Sequence, residues 1–162
     1  VLAMLPALPL TLLGLAAPLR AAPSAQPLIA PPPRASTCRI PDAAPALRAL
    51  PTGNVLAPLD IGPRLLLETE HGVVATGHHR AATAMRAVID AFTGSPERAR
   101  EIAAAYRIDY VAFCGDLAEP AIYAEAAPHG FAAQLRGGRT PDWLEPVAMP
   151  AGVNLKVWKV LR

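Results

Sequence analysis

The chain of 162 residues has room for one globular domain with a real core plus appendages, and 52% hydrophobic against 17% charged residues excludes a chain too polar to fold. The net charge of +2 is small and its arginines are dispersed, which excludes a nucleic-acid surface, since phosphate recognition clusters Lys and Arg on one face. Eleven of the nineteen prolines precede Leu56, so the N-terminal third and the remainder are physically different objects.

Residues Val1 to Leu19, VLAMLPALPLTLLGLAAPL, carry no charge and one hydroxyl, Thr11. As a helix they would rise roughly 28 Å, about the hydrocarbon thickness of a bilayer. A signal peptide would place basic residues ahead of the apolar run, and none is there, although Ala21, Ala22, Ser24 and Ala25 would suit cleavage. The expectation is therefore a transmembrane helix over residues 1–19, the last of a longer protein truncated at its start. Residues 20–36 form a Pro/Ala-rich linker that extends instead of packing, because proline fixes φ and removes a donor.

An α/β domain is expected over residues 37–162. Asp42 or Pro45 opens a short helix with Leu47 and Leu50 inward, and Val55 to Pro58 is a buried strand. Pro63 suits the first turn of a helix whose apolar side is Leu65, Leu66 and Leu67. After His71-Gly72, Val73 to Thr76 reads as a second strand. Met85, Val88, Ile89 and Phe92 follow helical spacing, and Ser95-Pro96-Glu97 matches the free amides that start the next helix, with Ala99, Ile102, Ala103 and Tyr106 inward. Asp109 to Cys114 is a third strand, so helix and buried strand alternate as in a parallel layer. Two shorter helices span Pro120 to Ala126 and Gly130 to Leu135. Trp143 to Met149 and Leu155 to Leu161 close the chain as a β-hairpin, the latter with Lys156 and Lys159 in an edge-like pattern. The predicted class is a small, mostly parallel sheet flanked by helices, with a C-terminal hairpin, preceded by the apolar helix.

Cys38 and Cys114 bracket this domain. They are either two small buried hydrophobes or, outside the cytoplasm, a disulfide that would contribute roughly 4 kcal/mol; the apolar leader favours the disulfide. Two distant cysteines without CxxC do not have zinc-ligand spacing.

Candidate chemistry gathers between Asn54 and Arg80. Asp60 follows a buried strand and precedes Gly62-Pro63, where open α/β sheets gather ligands; it either meets a ligand or caps the next helix, and capping is the commoner use. His78, His79 and Arg80 follow the second strand, which a parallel sheet would bring toward Asp60. Adjacent histidines are expected to point apart, so a polar contact surface for phosphate, glycan or protein is favoured over a metal site. GxSxG, GxGxxG, P-loop and HExxH signatures are absent from the sequence, and no catalytic residue is assigned.

In order, an apolar helix, a Pro/Ala linker, a strand ending PLDIG, a strand followed by GHHR, a helix pair, IDYVAFC and a hairpin resemble the C-terminal extracytoplasmic domain of bacterial polytopic GT-C-type glycosyltransferase-like membrane proteins. More distantly the chain is similar to oligosaccharyltransferase soluble domains, whose strand ends in WWDYG. Here Asp60 and Gly62 match that motif, and its tryptophans and tyrosine are missing. The resemblance implies a non-catalytic domain of a transferase using a lipid-phosphate sugar, placed in the periplasm at the bacterial inner membrane, with the catalytic acids in loops upstream. It implies binding of an acceptor or phosphate at Asp60, Gly62, Arg64, His78, His79 and Arg80. The implied partners are the lipid bilayer, the protein's own N-terminal membrane region and a lipid-linked sugar or glycan acceptor. No cofactor is implied in these 162 residues, while the complete protein has room for a divalent metal. The alternative is a secreted or membrane-tethered α/β binding module without transferase activity.

Overall fold

The computed structural model describes residues 37–162, so the expected apolar helix and linker lie outside the described residues. Among the described residues no helix is long and apolar enough to cross a membrane.

Twelve elements follow one another: α1 (Ile40–Arg48), β1 (Asn54–Leu56), α2 (Gly62–Glu68), β2 (Gly72–Val73), a 3-10 turn (His79–Ala81), α3 (Ala82–Thr93), α4 (Pro96–Ala105), β3 (Ile108–Phe113), α5 (Ala118–Ala126), α6 (Phe131–Arg136), β4 (Leu144–Val147) and β5 (Lys156–Val160). The five strands form one sheet in the order β2-β1-β3-β5-β4. β1 pairs in parallel with β2 and with β3, and the C-terminal hairpin β4–β5 joins antiparallel against β3. This is the expected α/β class with its helices and closing hairpin.

The strand order reverses at β1, since β2 lies on one side of it and β3 on the other. Right-handed connections then send α2 to one face of the sheet and α3–α4 to the opposite face. The side chains obey that division with strand periodicity. Val55, Ala57, Tyr110, Ala112 and Val157 join Leu47 and Leu65 in one core, while Leu56, Val111, Phe113 and Trp158 join Val88, Phe92, Ile102 and Phe131 in the other. In the second core Phe92 is the hub, with ring centroids 5.7–5.9 Å from those of Phe113, Tyr123 and Phe131.

The predicted N-cap of α4 is present: Ser95 accepts a hydrogen bond from the Arg98 N–H, with Pro96 in the first turn. Three local expectations differ. Only Leu65 of the α2 leucines is buried; Leu66 and Leu67 are 48% and 72% exposed, because a helix of one and a half to two turns shows a single sheet layer one narrow stripe. The second strand is confined to Gly72–Val73. β5, with its lysines, is internal, and the edge is β4, which carries Pro146. Lys156 and Lys159 are exposed while Val157 and Trp158 are buried, so the lysines sit at solvent-facing positions of a paired strand.

Cys38 and Cys114 form a disulfide with Cα atoms 5.8 Å apart, closing a separation of 76 residues. It ties the entry of α1 to the carboxyl end of β3. The bond lies beside a second tie, in which Thr37 donates from its backbone N–H and its hydroxyl to Asp116.

Candidate functional site

β1, β2 and β3 are parallel, so their carboxyl ends share one edge, and the reversal of strand order at β1 makes this the crevice where α/β folds place ligands. The residues there are Ala57 to Gly62, the segment Ala75 to Arg80, and Cys114 to Glu119.

The centre of that crevice is occupied by a carboxylate of the chain itself. Glu119, in the first turn of α5, accepts hydrogen bonds from the N–H of Leu59 at 2.9 Å and the N–H of Asp60 at 2.7 Å. One turn along the same helix, Tyr123 donates its hydroxyl to Glu119. Two backbone amides and a phenol converging on one anion are what a phosphate or substrate carboxylate would otherwise meet here. Burial pushes the Tyr123 phenol well above its ordinary range, and its hydrogen bond to Glu119 and the nearby charges of Glu119 and Asp60 push it further. It is a fixed donor, protonated at neutral pH.

Asp60 consequently differs from the expected helix cap. The residue before α2 is Ile61, and no side chain caps that helix. With its N–H held by Glu119, Asp60 is exposed and its carboxylate has no hydrogen-bond partner among the described residues. Gly62 is buried where α2 begins; a Cβ there would stand 2.9 Å from the carbonyl oxygen of Ala75, so only glycine lets this turn approach the segment after β2. That contact is what brings the start of α2 and the segment leading to the histidines together. Arg64, one residue beyond Pro63, lies 3.6 Å from Glu68 in an i,i+4 pair, and it lines a shallow cavity of about 390 Å³ with Asp60, Ile61, Cys38 and Leu117.

His79 and Arg80 lie in the 3-10 turn with His78 as its N-cap, and all three are exposed. The two imidazoles do not diverge as adjacent side chains were expected to: they stack, with centroids 4.8 Å apart and planes 21° from parallel. His78, the N-cap of the turn, has extended backbone, and the Arg80 N–H donates to its Nδ1 at 3.4 Å. Neither histidine nor Arg80 is bonded to Asp60 among the described residues. No group of three or more His, Cys, Asp or Glu side chains able to hold a metal ion occurs among the described residues.

Sequence reasoning missed Glu119 and Tyr123. The only sequence signal is an acid in a first helical turn with a tyrosine four residues on. Their decisive partners are backbone amides 59 and 60 residues away, which carry no side-chain signature.

No protein-family model and no curated protein matches the sequence. Among solved structures the fold is similar to the C-terminal globular domain of oligosaccharyltransferase from Archaeoglobus fulgidus, with a TM-score of 0.53 and 14% identity over 73% of this chain and 91% of that one. Over that share of its length the chain therefore has the fold of an oligosaccharyltransferase C-terminal globular domain.

Proposed function

We propose that this domain is the non-catalytic soluble part of a membrane-embedded GT-C-type glycosyltransferase that uses a lipid-phosphate sugar, and that it positions the acceptor or steadies the membrane part. The observation that carries this reading is the shared fold with an oligosaccharyltransferase C-terminal globular domain across 91% of that domain. The Cys38–Cys114 disulfide supports an oxidising compartment, which for a bacterial inner-membrane protein is the periplasm.

The carboxyl-end rim supplies chemistry suited to an acceptor. The free carboxylate of Asp60 is an acceptor for sugar hydroxyls or a peptide N–H, while Arg80 and the stacked His78 and His79 offer donors to a phosphate or glycan. Arg64 stands beside Asp60 along the same cavity. The lipid bilayer, the protein's own membrane region and a lipid-linked sugar or glycan acceptor are the partners of this reading.

In the complete protein, Asp60→Ala and Arg80→Ala are each expected to lower glycosyl transfer about tenfold, the loss of one charge-assisted hydrogen bond, with the melting temperature unchanged. Transfer at the unsubstituted rate by both variants would overturn the acceptor role. The domain would then be left with steadying the membrane part, whereas no glycosyl transfer by the complete unsubstituted protein would favour a membrane-tethered module without transferase activity.

A further inference from the structure

The opposite edge of the sheet holds a second concavity, where α4 ends and β3 begins. It encloses about 480 Å³ between the last turn of α4, the start of β3 and the end of β5. Its floor is apolar, made by Ala103, Ala104, Ile108, Val160 and Leu161. Its rim carries three guanidinium groups, Arg100, Arg107 and Arg162. Arg162 pairs with Asp109 at 2.8 Å, whereas Arg100 and Arg107 have no acidic partner among the described residues. Of the other arginines among the described residues, Arg39, Arg48, Arg64 and Arg98 each lie within 4.0 Å of a carboxylate, while Arg80, Arg86, Arg136 and Arg139 do not.

Arg107 is also where the backbone departs from ordinary geometry. It has φ of +51°, and it is the only non-glycine residue with positive φ among the described residues. The position directly follows the α4 C-cap, Tyr106, where glycine relieves the cost of a left-handed residue. An arginine placed there accepts that cost, and it is exposed and lines the groove.

We infer that this groove binds an anionic amphiphile: a single phosphate or carboxylate head held by Arg100 and Arg107, with a short apolar chain on the floor of Ala104, Ile108, Val160 and Leu161. Guanidinium forks grip such heads bidentately, and apolar surface behind them favours a chain over a bare ion. The inference rests on this edge alone and is independent of the acceptor role assigned to the Asp60 rim.

The test uses the full chain and dodecyl phosphate below its micellar concentration, followed by calorimetry at low salt. Inorganic phosphate and dodecyl maltoside separate head from chain. Arg107→Gly is the informative variant, because glycine is at ease at positive φ and leaves folding intact or improved. Dodecyl phosphate is expected to bind at one saturable site, and Arg107→Gly and Arg100→Gln each to weaken it about tenfold or more. Inorganic phosphate should bind at least tenfold more weakly than dodecyl phosphate, and dodecyl maltoside should not compete. Equal affinity of the variants and the parent chain would show that the amphiphile sits elsewhere and overturn the site. Equal affinity for inorganic phosphate would overturn the apolar half of the inference, and no saturable binding would overturn all of it.

Discussion

The two edges of the sheet solve the same problem with different chemistry. At the carboxyl edge, a carboxylate, Glu119, collects the N–H groups of Leu59 and Asp60 and the hydroxyl of Tyr123. At the amino edge a neutral ring does the corresponding work. His71 is buried, its Nδ1 accepts from the Gly53 N–H at 3.2 Å, and its Nε2 lies 2.9 Å from the Leu47 carbonyl oxygen. Because an N–H can only donate and a carbonyl can only accept, those partners fix the proton on Nε2. The carboxyl edge thus carries a half-buried carboxylate within the crevice where an anionic ligand would sit, and presents a second one, Asp60, to solvent. The amino edge keeps its buried group uncharged and exposes arginines. A negatively charged ligand is accordingly disfavoured at the crevice centre and favoured at the outlying arginines of either edge.

The largest expected effect comes from unpinning the carboxyl edge. Replacing Cys38 and Cys114 by serine removes a cross-link spanning 76 residues, and the chain-entropy account gives a loss of about 4 kcal/mol. Chemical denaturation of the parent and the double variant measures it directly. A loss below about 1 kcal/mol would mean that the Thr37–Asp116 tie and the α1 packing already hold the entry segment without the bond.

Next is Glu119→Ala, which strands two backbone amides and a phenol at once and should destabilise by about 3 kcal/mol. Its particular signature is in Tyr123. With the carboxylate gone, the phenol loses its hydrogen-bond acceptor and one repelling charge while burial persists, so it should ionise at a lower pH than in the parent, yet still above the ordinary tyrosine value. The parent protein has its own pH dependence with the same origin. Tyr123 and Tyr110 are both raised, by burial first and then by neighbouring acids, so the folded state holds its phenolic protons more tightly than the unfolded chain. That stabilisation is fully present below about pH 10, where unfolded tyrosines are protonated, and is lost as pH climbs toward the folded values. Ultraviolet titration with parallel melting curves reads both; alkaline stability that is flat for the parent and for Tyr123→Phe alike would remove the phenol from the account.

The difference between the edges also explains what could be read from the residues alone. Helices with clean spacing and caps were legible: Ser95-Pro96-Glu97 opens α4, and Val88 and Phe92 are fully buried on α3. The disulfide was legible because two cysteines in an apolar-led chain leave one pairing. The strand order was not, since Lys156 and Lys159 mark solvent-facing positions in an internal strand as readily as in an edge strand. At the candidate site, Asp60 was found by its place after a strand, but its release from capping was hidden because Glu119 takes its amide from a distance of 59 residues. The stacking of His78 and His79 was equally hidden, because nothing in the residue types marks His78 as the extended N-cap of a 3-10 turn.

The smallest of these effects tests the neutral edge. His71→Ala leaves the Gly53 N–H and the Leu47 carbonyl unpaired and removes the edge contact on Tyr110, whose ring centroid lies 5.3 Å away, for a loss of about 2 kcal/mol. His71→Asn separates the contributions, because a shorter amide reaches the Gly53 N–H with its oxygen and falls short of Leu47. It should recover about half of that loss. Gly53 reports on the same corner, since a Cβ there would meet the Asp109 side chain at 2.6 Å, leaving the loop little freedom to find another acceptor. If His71→Ala costs as much as Glu119→Ala, the half-buried carboxylate at the carboxyl edge has no energetic advantage over the imidazole. The asymmetry between the edges would then concern only which ligands they repel.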